Sequence, residues 1–160
     1  MRHFAVPLGA VALLLFIGAW ELRAKEESIP EDKIPRKVMD ALKSKFPKAK
    51  IDKCTREMEG DDVVYDIEFK EGARKCEADI KEDGTFLNYE KAIEARNLPK
   101  VVREAIDKKY PKATLKEIME ETEVKGKEEK VSAYEVVLET ADKKEVEVRV
   151  SPEGKIEEEE

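Results

Sequence analysis

A stretch of eighteen residues near the start of this chain is written again 64 residues downstream. Ile34 to Ile51 reads IPRKVMDALKSKFPKAKI, and Leu98 to Leu115 reads LPKVVREAIDKKYPKATL. Seven of the eighteen positions are identical and six more are close swaps, Phe46 for Tyr110 among them. Self-similarity at such a period means two copies of one structural unit, which restricts the architectures open to the chain.

Each copy opens with an amphipathic helix. Ile34, Val38, Ala41, Leu42 and Phe46 fall at helical spacing, with Lys37, Asp40, Lys43 and Ser44 on the other side. Leu98, Val102, Ala105, Ile106 and Tyr110 repeat the stripe. Pro35 and Pro99 suit the first turn, where a missing N–H costs nothing, and Asn97 suits an N-cap. Pro47 and Pro111 push the residue before them out of the helical region, so the helices should end at Phe46 and Tyr110.

Strands follow. Val63, Tyr65, Ile67 and Phe69 alternate with polar residues, as do Cys76, Ala78 and Ile80, around a turn at Glu71-Gly72-Ala73. The second copy offers Tyr134, Val136 and Leu138, then Val146, Val148 and Val150, around Ala141-Asp142. Asp83-Gly84 and Glu153-Gly154 are matching turns that close each unit. A less regular strand lies between each helix and its hairpin, Phe86 to Ala95 reads as a connection, and Glu120 to Lys130 as a long loop. The expected fold class is α+β: two helix-plus-three/four-strand antiparallel repeats, with the helices packed on one face of the sheet. The expected boundaries are 1–24 for a signal peptide or N-terminal anchor, 28–91 and 92–156 for the repeats, and 157–160 for an acidic tail.

The amino-terminal assignment rests on Arg2 and His3 ahead of the apolar run Phe4 to Trp20, with small residues near its end. It implies an exported protein, periplasmic or extracellular. Cleavage after Ala24 would remove Arg2, Arg23 and Glu21 and move the formal net charge from −7 to −8. That balance argues against nucleic acid or an anionic membrane surface as the main partner, since either needs basic charge. The sole histidine is His3, so the remainder has no imidazole for general-base catalysis or for a zinc or haem site.

The order helix, aromatic-Pro-Lys-Ala, strands and D-G turn, written twice behind a signal sequence, resembles the PepSY-like family, grouped with the β-lactamase-inhibitor-like fold. Ile34-Pro35, Phe46-Pro47-Lys48-Ala49, Tyr65 to Phe69 and Asp83-Gly84-Thr85 carry the likeness in the first copy. Leu98-Pro99, Tyr110-Pro111-Lys112-Ala113, Tyr134-Glu135-Val136 and Glu153-Gly154-Lys155 carry it in the second. The resemblance covers nearly all of Ser28 to Ile156 and implies an exported, non-catalytic domain that binds or inhibits another protein.

Candidate residues lie on the polar side of the strands. Asp66, Glu68, Glu77 and Asp79 should point outward in the first copy, and Glu135, Glu139, Glu145 and Glu147 in the second. They form either a solvated face guarded by charge or a docking surface for a basic protein or peptide. Carboxylates of this kind could also serve an envelope enzyme or a weak cation site. An acid/base pair needs a cleft, and calcium needs six to eight oxygens wrapped by a loop, and neither is visible in the sequence. No catalytic residue, metal ligand or cofactor is therefore assigned, and no membrane insertion is expected beyond the signal. Cys54 and Cys76 could form a disulfide in an oxidising compartment. On first and third strands of a meander, however, they stand about 9.5 Å apart, beyond the ~7 Å that a bridge spans, so free buried thiols are the preferred reading.

Overall fold

The computed structural model describes residues 27–159. The expected signal or anchor at 1–24 lies outside the described residues, within which no helix is long and apolar enough to cross a membrane. Two ten-residue helices form where the repeat places them, α1 at Arg36–Lys45 and α2 at Lys100–Lys109. Pro35 and Pro99 occupy the cap positions without a side-chain cap bond, and Asn97 falls in a preceding 3₁₀ turn, Ala95–Asn97, rather than capping α2. Phe46 and Tyr110 end the helices, each donating its N–H at 2.7 Å to the carbonyl four residues back. Their ψ angles of 77° and 70° lie outside the helical region, which a following proline disfavours.

The strands are β1 (Glu27–Ser28), β2 (Ala49–Glu59), β3 (Asp62–Glu71), β4 (Arg74–Lys81), β5 (Phe86–Ala92), β6 (Thr114–Lys125), β7 (Glu128–Glu139), β8 (Glu145–Val150) and β9 (Ile156–Glu159). They make one nine-stranded sheet, antiparallel throughout, whose spatial order equals the chain order. This overturns the expected α+β fold of two helix-plus-strand repeats. The segment read as a connection contains β5, which pairs with β4 on one side and β6 on the other, so there is one sheet with two short helices on it. A strand whose backbone would otherwise be an unpaired edge is satisfied by joining its neighbour. The supposed loop Glu120 to Lys130 is likewise mostly strand, the ends of β6 and β7 around Gly126 and Lys127.

Two apolar cores sit under the helices. Val38, Leu42 and Phe46 pack on Ile67, Phe69 and Ile80, and Val102 and Ile106 pack on Val136, Leu138 and Val148. Phe46 meets Phe69 at 4.9 Å and Tyr89 edge-on at 5.5 Å between ring centroids, within the range favoured by aromatic pairs. The β6–β7 hairpin leans over the first core: Val124 packs against it, and Glu129 accepts a 2.8 Å hydrogen bond from the Tyr89 hydroxyl and pairs with Lys45. The D-G and E-G turns have a packing role as well. A Cβ at Gly84 would come within 3.0 Å of the Lys37 carbonyl oxygen, and at Gly154 within 2.8 Å of that of Val101. Each turn thus presses against the first turns of its helix, with φ at +92° and +84°, which favours glycine.

Candidate functional site

The helices and both cores occupy one face of the sheet, and on the opposite face Glu68, Glu77 and Glu90 are half-buried and Glu121 is buried. On that outer face the register lines up carboxylates. Glu68 stands opposite Glu77, Glu77 opposite Glu90, and Glu90 opposite Glu121, a row of like charges running straight across β3 to β6. A second row beside it runs Asp66, Asp79, Asn88, Glu123. Directly opposed like charges destabilise a sheet, so the arrangement calls for compensation.

Part of that compensation is visible. Lys53 pairs with Glu68 at 2.9 Å, Lys75 with Glu77 at 3.4 Å and with Glu117 at 3.0 Å. Thr55 donates to Asp66 at 3.3 Å, and the Asn88 amide donates to Asp79 at 2.9 Å. At the far end Arg149 donates to Glu121, and to Glu135 at 3.1 Å. The middle of the row is left to proton uptake. Burial first, then the charges of Glu135, Glu77 and Asp79, push the Glu90 carboxyl up to about 8, against the pull of Arg149. Burial pushes Asp79 up to about 6, opposed by the Asn88 hydrogen bond, and raises Asp66 and Glu77 as well. A recess of about 180 Å³ lies here, lined by Glu57, Asp66, Glu77, Asp79, Asn88 and Glu90.

The residues expected from the sequence divide into two groups. Asp66, Glu68, Glu77 and Asp79 share the rows, and Glu135 joins them through Arg149. Glu139 and Glu145 instead oppose each other beside the β7–β8 turn, where Glu139 pairs with Lys143 at 2.7 Å and Lys116 at 3.5 Å. Glu147 faces Val137 on the same hairpin. Sequence reasoning missed Glu90 and Glu121, which complete the row. The signal available was the pairing of FLNYEKA as a strand, which its uneven alternation conceals.

Glu90, Glu121 and Glu135 each bring a carboxylate oxygen within 4.8 Å of the others, as metal ligands would. Arg149 occupies two of the three, and three carboxylates from flat strands fall short of the six to eight oxygens that calcium takes. Cys54 and Cys76 are free and buried. They sit opposite Ile67 and Phe69 respectively, with β3 between them and two residues out of step. Burial and the nearby Asp66 push the Cys54 thiol up to about 11, and burial raises Cys76, so neither is disposed to form a thiolate.

Comparison with known proteins places this geometry in a family context. The profile described as "Putative beta-lactamase-inhibitor-like, PepSY-like" matches residues 17–88 and 63–158. A BLIP-like protein from Bacteroides fragilis is similar at 22% identity, with 82% of this chain and 86% of that one covered and a TM-score of 0.56. A structure from Bacteroides eggerthii, described among "putative periplasmic proteins", is similar at 12% identity, with 79% and 87% covered and a TM-score of 0.61. At these identities the likeness concerns the fold. No curated protein matches the sequence.

Proposed function

We propose, from the premise that this chain belongs to the putative β-lactamase-inhibitor-like, PepSY-like family, that it is an exported, non-catalytic binding module. Its partner is a protein or peptide of the cell envelope that presents basic side chains to the outer sheet face. The observation carrying this reading is the row Glu68, Glu77, Glu90, Glu121, set on the face opposite the helices. A partner's lysines or arginines would replace the protons and lone counter-ions that now moderate the repulsion, and long-range attraction would speed the encounter. The description of the Bacteroides fragilis relative as BLIP-like makes inhibition of the bound protein one form this binding could take.

The test is capture of envelope proteins on the immobilised chain, with the double variant Glu77→Gln/Glu90→Gln alongside. A saturable partner, released by salt and lost from the variant, is the expected result. Absence of any saturable partner, or equal capture by the variant, would sink the reading.

A second reading has one observation in its favour. Glu90 and Asp79 have raised pKa values and share a recess, as an acid/base pair would. The recess of about 180 Å³ is smaller than the roughly 300 Å³ at which ligand pockets begin, which favours the binding module. Hydrolysis of an envelope glycan or peptide that disappears in Glu90→Gln and in Asp79→Asn would reverse that preference.

A further inference from the structure

The net charge of −7 conceals a division between the two faces of the molecule. α1 and its closing turn carry Arg36, Lys37, Lys43, Lys45 and Lys48 against Asp40 alone. α2 and its turn carry Lys100, Arg103, Lys108, Lys109 and Lys112 against Glu104 and Asp107. Those three acids are matched within their own helices, Arg36 to Asp40 at 3.5 Å, Lys100 to Glu104 at 3.5 Å and Arg103 to Asp107 at 2.9 Å. The surplus is lysine. Lys43 is turned onto the Ala49 carbonyl and Lys45 onto Glu129, while Lys37, Lys48, Lys108 and Lys112 are exposed on the side away from the carboxylate rows.

Lysines in the last turn have an ordinary explanation, because they complement the negative end of the helix dipole. That accounts for Lys43, Lys45, Lys108 and Lys109. It does not account for the first turns. Neither helix has an acid in its first turn, but Arg36 and Lys100 pair with Asp40 and Glu104 one turn on, and Lys37 lies near Asp83 of the turn that packs on α1.

We propose that the helix layer is a docking surface for an anionic phospholipid bilayer, bound at the headgroups without insertion, with the outer sheet face turned away from the membrane. The inference is independent of the binding role of that outer face. Two features favour a bilayer over an acidic polypeptide. The cations are dispersed over both helices instead of converging in a groove, which suits a surface of delocalised charge. The apolar run Phe4 to Trp20, if retained as the anchor the sequence allows, would also hold the chain beside a membrane. The net acidic charge that argues against an anionic surface for the whole chain is unevenly shared, and the helix layer carries its lysines.

Flotation with phosphatidylcholine vesicles, with and without phosphatidylglycerol, tests the proposal in low and high salt. Any contribution of the apolar run is common to both vesicle types, so the difference between them reads the helix layer. Binding should be stronger on the anionic vesicles and lose that advantage in salt. Each juxtamembrane lysine is worth roughly a fivefold change in partitioning, so the variant Lys37→Gln/Lys48→Gln/Lys108→Gln/Lys112→Gln should bind more weakly by up to about 600-fold if all four meet the headgroups, and by about 25-fold if two do. Circular dichroism verifies its fold, and Glu77→Gln/Glu90→Gln should keep full binding. Equal flotation on both vesicle types, or an unimpaired lysine variant, overturns the proposal. So does displacement from the vesicles by polyglutamate at lower concentration than lipid, which would reassign the face to an acidic polypeptide.

Discussion

Replacing Glu90 with glutamine should make the protein more stable, by an amount that grows with pH. Glu90 stands between Glu77 and Glu121 in register, and its pKa is pushed from 4.5 up to about 8. A carboxyl that holds its proton more tightly folded than unfolded contributes stability in full below its unfolded value. That contribution is lost as pH rises through its folded value. The displacement of roughly 3.5 pK units corresponds to about 5 kcal/mol when the loss is complete. About 1 kcal/mol of it has gone by pH 5, so up to about 4 kcal/mol remains to be lost between pH 5 and 9. Glutamine has no proton to lose. Urea unfolding followed by far-UV circular dichroism at pH 5, 7 and 9 should therefore show the advantage of Glu90→Gln widening steadily. Glu139→Gln is the control, because Lys143 holds Glu139 below the usual carboxylate range and its neutralisation brings no such gain. A difference between wild type and Glu90→Gln that stays constant over this range would refute the assignment of strain to the row.

Arg149→Met should destabilise the protein by about 3 kcal/mol at neutral pH, because it strands the carboxylates of Glu121 and Glu135. Chemical denaturation at neutral pH measures the loss. Gly154→Ala should cost more than Gly72→Ala in the same assay. Both have positive φ, but only the first drives a Cβ to 2.8 Å from a carbonyl oxygen, and Gly72 has open space around it. Leu42→Ala and Ile106→Ala each empty a fully buried site in one core and should each cost 2–5 kcal/mol, about the usual range. Because β5 and β6 join the cores into one sheet, each should lower the midpoint of a single calorimetric transition, and two separate transitions would show that the cores melt independently.

Much of the local structure was legible because the signals were strong and periodic. The apolar stripe Val38, Leu42, Phe46 and its copy gave both helices to within a residue, and the alternation around Tyr65 to Phe69 and Tyr134 to Leu138 gave the central strands. What failed was the joining of the units, and the reason is physical. β5 carries a register irregularity between its pairing at Asn88 and at Phe86, so its alternation slips partway. The tips of β6 and β7, from Glu123 to Lys130, are almost wholly charged and owe their pairing to the backbone and to the lean onto α1. Neither feature leaves an apolar period to read. The same gap hid Glu90 and Glu121, because a residue can be placed on a face only once its strand is recognised.

The rows of acids are also a fixed array, and their rigidity follows from the opposite face. Ala78 stands against Tyr89 and Tyr89 against Thr122, all three buried on the helix side. Each is the chain neighbour of a member of the row, Glu77, Glu90 and Glu121. A slip of one residue in either pairing would turn Tyr89 or its partners out of the core and bring acids in. The apolar side therefore holds the outer carboxylates opposite one another, about 4.8 Å apart from strand to strand, although they repel. A partner's cations would meet carboxylates already in place, and little ordering entropy would be lost on binding. The repulsion stored in the free protein is released at that encounter, so the residues that lower its stability at high pH are the ones expected to raise affinity for a basic ligand.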